Sequence, residues 1–283
     1  MDKELSKQIV FMFEGFNRRG AHSFPAPGTL ARKLSEAVRP ELKAEYIVRA
    51  SSEIVNWFAS AAVEMWLRSL HSFLISASLT EASRIWASVS GYYSSHYSIR
   101  GFAHLFGIFQ LYKEKRVIYL EKDRNYFNLR IVKKDGDKQE HKFYWKYVSE
   151  HILIKGDPFF YPNYEHLPES DCAHRNKVNY WDHVNHFPIF APLDLEALKN
   201  RIDQIASIEF SSVPKMNEDK FFDIESIQIL AYHRIVKFRK FLDDILGSGN
   251  RFWNVHRNPS WCPDTMKFNV VDPVYVALYA RYS

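Results

Sequence analysis

Apolar residues recur at helical spacing along most of this chain and alternate along one short stretch. The longest helical pattern runs from about Thr80 to Leu111. There Ile85, Val89, Tyr92, His96, Ile99, Ala103 and Phe106 follow one another in steps of four and three. Such a seam predicts a bundle helix of about 45 Å. An earlier stripe of Ile54, Phe58, Ala61, Met65 and Leu70 predicts a helix over 51–75, with Ser51 or Ser52 as its N-cap. A shorter helix is expected over 29–39, and the pattern resumes through Val48. Residues 1–27 read as a lead-in, with Ser23-Phe-Pro-Ala-Pro-Gly28 as a break.

The period changes after residue 115. Arg116–Leu120, Tyr126–Val132 and His141–Trp145 alternate like strands, and turn residues separate them at Lys122–Asn125 and Lys134–Asp137. The pattern predicts a three-stranded antiparallel insertion at 115–147. Residues 155–170 hold Pro158, Pro162 and Pro168 and read as a loop. Helices are expected over 171–186, from Pro192 with Leu195, Leu198, Ile202 and Ile205 on one face, and over 218–246, where Gly247-Ser-Gly-Asn250 stops the helix. The tail, 251–283, is aromatic and irregular. Its Trp253, Trp261, Tyr275, Tyr279 and Tyr282 read as an interface or core plug.

The fold class that follows is α+β, mainly α. Residues 1–114 form one part of a helical bundle, 115–147 a small antiparallel β insertion, and 148–283 a second helical part completing the bundle. The chain's 283 residues suffice for one large domain or two modest ones.

Composition changes this picture little. Hydrophobic residues make up 46% and charged residues 25%, an ordinary globular balance. A net charge of +5 is a mild bias toward polyanions and no nucleic-acid footprint in itself. The basic residues between Arg130 and Lys142 alternate with Asp135, Asp137 and Glu140, as on a solvated hairpin tip; a DNA-binding accessory role for that hairpin is a third reading. Cys172 and Cys262 stand alone, which suits a reducing cytosol. The segment Met1–Gln8 is too charged for a signal peptide, and no run approaches 18 apolar residues. A cytoplasmic protein without a membrane span is expected. No H-E-x-x-H, P-loop, G-x-G-x-x-G or G-x-S-x-G motif occurs, so no metal and no cofactor is implied.

Candidate chemistry concentrates on the 80–111 helix. His96, Arg100 and His104 lie at i, i+4 and i+8, so they share one side, and Tyr93 flanks them. A guanidinium and two imidazoles on one face suit a phosphate or a carboxylate. The same groups also suit a buried polar seam between helices, and burial distinguishes the two.

The stretch Tyr92-Tyr93-Ser-Ser-His96-Tyr97-Ser-Ile-Arg100-Gly-Phe-Ala-His-Leu-Phe106 resembles the Y-Y-A-x-F-H-A-x-R-A-L-L helix of HEPN-type proteins. The resemblance covers about residues 50–110 and 171–186. It implies a helical bundle from a prokaryotic toxin–antitoxin or phage-defence system. It also implies dimerisation, RNA as substrate, a partner protein and metal-independent endoribonuclease activity. That family's motif is Arg, often followed by a polar residue, with His five to seven positions after the Arg. Two places approach it. Arg175-Asn176 has His183 eight positions on, with Asp182 and His186 beside it. Arg251 has His256 five positions on. In such a site His moves the proton of a ribose 2′-hydroxyl or of the leaving 5′-oxygen, and Arg stabilises charge on the phosphorane. The alternative is a non-catalytic interaction subunit that binds a protein or nucleic acid.

Overall fold

A computed structural model describes residues 3–19, 27–39, 41, 45–134, 140–157, 159–160, 195–208 and 224–247. These form a mainly helical protein with one four-stranded antiparallel sheet. The helices are α1 (Lys3–Arg19), α2 (Pro27–Glu36), α3 (Ser52–Ser78), α4 (Arg84–Leu105), α5 (Glu140–Ser149), α6 (Leu195–Ala206) and α7 (Ile224–Leu246). The strands are β1 (Tyr46–Arg49), β2 (Ile108–Leu111), β3 (Arg116–Asp123) and β4 (Tyr126–Lys133), in the order β1-β4-β3-β2.

The centre is the α3–α4 pair with α7 laid against both. The Ser51 hydroxyl caps α3 by accepting from the Ile54 N–H at 3.3 Å. Along α4 the expected seam is buried from Val89 to Phe106. Its neighbouring face is made of small residues, and these let α3 and α7 approach closely. Ser69 donates to the Ser94 carbonyl at 2.6 Å and Ser94 donates back to the Ser69 carbonyl at 2.8 Å. A Cβ on Gly101 would sit 2.9 Å from the Phe238 ring and 3.1 Å from the Ala62 carbonyl oxygen. Trp66 locks α7 by donating its indole N–H to the Ile235 carbonyl at 3.0 Å.

The sheet covers the other side of this core. In β4, Phe127, Leu129 and Ile131 are buried while Tyr126, Asn128 and Arg130 are not, the period-2 pattern of a half-buried strand. The β3–β4 hairpin falls where its alternation placed it, and its turn passes through Arg124 at φ +49°.

Several elements differ from the sequence reading. The 80–111 segment is not one helix: α4 ends at Leu105, Gly107 turns the chain at φ +73°, and 108–111 becomes β2. A Cβ at Gly107 would meet the Leu120 carbonyl oxygen at 2.7 Å, so a close approach to β3 joins the positive φ in favouring glycine here. Residues 46–49, read as continuing a helix, form β1 and pair with β4. His141–Trp145 is not a third strand of a hairpin but lies in α5, with Phe143, Tyr144, Trp145 and Val148 buried. The lead-in contains α1, whose Ile9, Met12 and Phe13 enter the core. The helix read from Pro192 appears as α6, with Leu198, Ile202 and Ile205 buried. The helix read over 171–186 and the aromatic tail lie outside the described residues. Among the described residues no helix is long and apolar enough to cross a membrane.

Candidate functional site

α4 carries two kinds of side chain on the surface it does not share with α3 and α7. One set points into the gap filled by α5 and β2. His96 is 2% exposed and stacks on His141 of α5, with ring centres 3.9 Å apart and planes 7° from parallel. Tyr92 Oη hydrogen-bonds Nδ1 of His141 at 2.6 Å. Tyr144 of α5 meets His96 and His104 edge-on.

His104 is fully buried and closes the edge of the sheet. Its Nδ1–H donates to the Ile108 carbonyl at 3.1 Å, and the Tyr144 hydroxyl accepts from the Gln110 N–H at 3.2 Å. β2 is an end strand of the sheet, so these two side chains satisfy backbone groups that would otherwise be buried unpaired. Donation from Nδ1 fixes the tautomer and leaves Nε2 as a bare acceptor, which meets no donor. Burial, reinforced by the nearby Arg100 charge and opposed by the Ile108 bond, pushes the His104 pKa down to about 3. A neutral imidazole sealed behind β2 does not hold an anion. The i, i+4, i+8 spacing of His96, Arg100 and His104 therefore does not give one exposed cationic face: the two imidazoles turn inward and Arg100 does not.

The second set is partly exposed. Trp86 is 61% exposed, and Ser90, Tyr93, Tyr97 and Arg100 are half-buried. These five positions recur in steps of four, three, four and three, and so form one stripe. The Tyr93 ring touches those of Tyr97 and His141. The Arg100 guanidinium lies 5.3 Å from the Tyr144 ring centre, a cation–π contact that holds it at the stripe's end.

Arg100 also lines a groove of about 700 Å³ between α2, α3 and β2, together with Arg32, Arg68 and Lys113. Periodicity could not have found this groove, because its cations come from separate elements. A second groove, of about 550 Å³, lies beside His151, whose ring stacks on Phe106 at 3.7 Å, and beside Tyr119 and Tyr147. Burial and a hydrogen bond to Tyr147 raise the Tyr119 hydroxyl's pKa. Farther away, α7 buries His233, whose pKa burial and Lys237 lower to about 4, and Arg234, which donates to the Phe159 carbonyl at 2.9 Å. This cluster ties α7 to Asp157 and Phe159.

The paired candidates Arg175, Asn176 and His183, with Asp182 and His186, and the pair Arg251 and His256 all lie outside the described residues. Among the described residues no three His, Cys, Asp or Glu side chains gather as a metal site would require. No family model, curated protein or solved structure matches the chain.

Proposed function

We propose that this protein is a HEPN-like, RNA-binding component of a prokaryotic defence or toxin system, and that it cleaves RNA without a metal. The outer stripe of α4 carries the RNA-binding part of this reading. Trp86, Tyr93, Tyr97 and Arg100 present three aromatic rings and a guanidinium along one face, about 21 Å from end to end. Rings in a row stack unpaired bases with little regard to sequence, and a guanidinium meets the phosphate backbone. The mainly helical architecture and the Tyr-Tyr, His and Arg pattern of α4 support the family reading. The cleavage step falls to Arg175 with His183, or to Arg251 with His256. Attack by the ribose 2′-hydroxyl needs no metal, because the nucleophile is already held beside the phosphate.

The experiment incubates the purified chain with tRNA and with single-stranded RNA in EDTA. The expected products end in a 2′,3′-cyclic phosphate and a 5′-hydroxyl, and Arg175→Ala and His183→Ala each abolish them. Cleavage that survives both variants and disappears in His256→Ala moves the site to the tail. Binding without cleavage leaves the RNA track standing and favours a non-catalytic subunit with a protein partner. Absence of both binding and cleavage ends the proposal. Sedimentation of the same sample tests the dimer that the family reading implies.

A further inference from the structure

We infer that the groove between α2, α3, the end of α4 and β2 is a subsite for a phosphate monoester. The phosphate is either the terminal group of a nucleic-acid strand or that of a small sugar phosphate. The groove encloses about 700 Å³, and Arg32 of α2, Arg68 of α3, Arg100 of α4 and Lys113 beyond β2 stand around it. The two carboxylates that share the lining are both engaged. Glu114 accepts from the Ser35 hydroxyl, and Glu36 pairs with Lys33 at 3.0 Å. Arg68 contacts Glu64 through Nε, at 3.0 Å. Four cations from four parts of the chain thus face two carboxylates around one opening, which leaves it net positive.

A terminal phosphate fits this arrangement better than an internal phosphodiester. It carries up to two charges, and its three terminal oxygens can be shared among several guanidinium forks. A carboxylate offers only two oxygens and one charge. Gln110 provides the independent observation. It lines the groove, is only 8% exposed, and its amide oxygen has no hydrogen-bond partner. A buried acceptor of this kind calls for a donor. The hydroxyl of a singly protonated phosphate, or of the sugar attached to it, supplies one once the amide turns its oxygen toward the groove. The apolar wall of Phe109 and Met65 suits the carbon part of such a ligand.

The strand-end source rests on the RNA reading above, because Arg100 closes both the α4 stripe and this groove: a strand lying on the stripe delivers its end there. The sugar-phosphate source does not need that reading.

The test uses the full chain and a ten-nucleotide RNA bearing a 5′-phosphate, a 3′-phosphate or hydroxyls at both ends. Binding is followed by fluorescence anisotropy with ribose 5-phosphate as competitor, and thermal melting is recorded with ribose 5-phosphate alone. One phosphate-ended RNA is expected to bind about tenfold more tightly than the hydroxyl-ended one, as charge-assisted contacts require. That advantage disappears in Arg32→Ala, Lys113→Ala and Gln110→Leu, the first two being exposed positions whose substitution leaves the core intact. Equal binding of all three RNAs, with no competition or thermal shift from ribose 5-phosphate, overturns the inference and leaves the α4 track untouched. A thermal shift with ribose 5-phosphate that is lost in Arg32→Ala, without binding of any RNA, upholds the groove and overturns the RNA reading.

Discussion

On the side of α4 that meets α3 and α7 stand Gly91, Ser94, Ser98 and Gly101; on the side that meets α5 and β2 stand Tyr92, His96 and His104. The first side works by absence of volume. Its serines bond across to α3, with Ser69 and Ser98 hydroxyls 2.7 Å apart, and its glycines leave room for Ile227 and Phe238. The second side works by specific polar geometry, stacking rings and capping the edge of a sheet. A tight small-residue face tolerates almost no added atom, whereas a polar seam tolerates change only where its hydrogen bonds survive.

Added volume on the small face gives the largest expected effect. Gly101→Leu costs about 3 kcal/mol or more, because overpacking alone costs about 1–3 kcal/mol for smaller insertions. Gly101→Ala is the sharper version. Alanine gains about 1 kcal/mol in helix propensity, yet its Cβ would lie 3.1 Å from a backbone oxygen that cannot move aside. Urea unfolding is expected to show net destabilisation, and a stabilised Gly101→Ala would mean that α3 and α7 are not held at contact distance.

The polar seam comes next. His104→Leu leaves the Ile108 carbonyl unpaired at the sheet edge and costs about 1–3 kcal/mol. It also changes the pH profile. The folded state holds His104 near pKa 3 against an ordinary value of 6.5, so the protein binds the proton less well when folded. Its contribution to stability is therefore complete above about pH 6.5 and is lost as pH falls toward 3. His233, lowered to about 4, acts with the same sign over the upper part of that range. Melting temperature is expected to drop across this window in the wild type and less steeply in His104→Leu. Parallel curves would show that His104 does not carry the acid sensitivity. Tyr144→Phe removes only the hydroxyl that caps the Gln110 N–H and costs about 1 kcal/mol, with the edge contact to His96 and the cation–π contact to Arg100 retained.

The smallest change in stability belongs to the outer stripe. Trp86→Ala is expected to fall within about 0.5 kcal/mol of the wild type, since the ring is 61% exposed. Its effect on RNA binding is larger, about 1–3 kcal/mol for a lost stacking platform. A Trp86→Ala protein that binds RNA with unchanged affinity removes Trp86 from the track.

The α4 seam was legible because burial of one helical face imposes a period that needs no knowledge of the partner. The β3–β4 hairpin was legible for the same kind of reason, since adjacent strands of alternating pattern meet across a short turn. β1 and β2 were not. Tyr46–Arg49 pairs with residues some 80 positions later, and Ile108–Leu111 shares its apolar character with the helix it follows. α5 misled because His141–Trp145 reads as alternating, whereas Phe143, Tyr144 and Trp145 are buried in succession and share their core with Val148, as on a helix packed on more than one side. Of the candidate site, the residue types on α4 were visible and their division was not. His96, Arg100 and His104 lie within about 80° of one another around the helix, and only the packing of α5 and β2 buries the two imidazoles while leaving Arg100 half-buried.

The chain alone determined that a long helix with a buried seam would stand in the core, that Gly247 would end the helix before it, and that aromatic and basic side chains would be interleaved on α4. These are local properties, fixed by backbone geometry and by the spacing of apolar positions. Tertiary structure decided which side of α4 faced water. It turned His104 into a neutral edge cap, left Arg100 at the mouth of a groove, and brought Arg32, Arg68 and Lys113 to the same opening. Those outcomes depend on contacts between residues far apart in sequence, and no periodicity within a single segment encodes them.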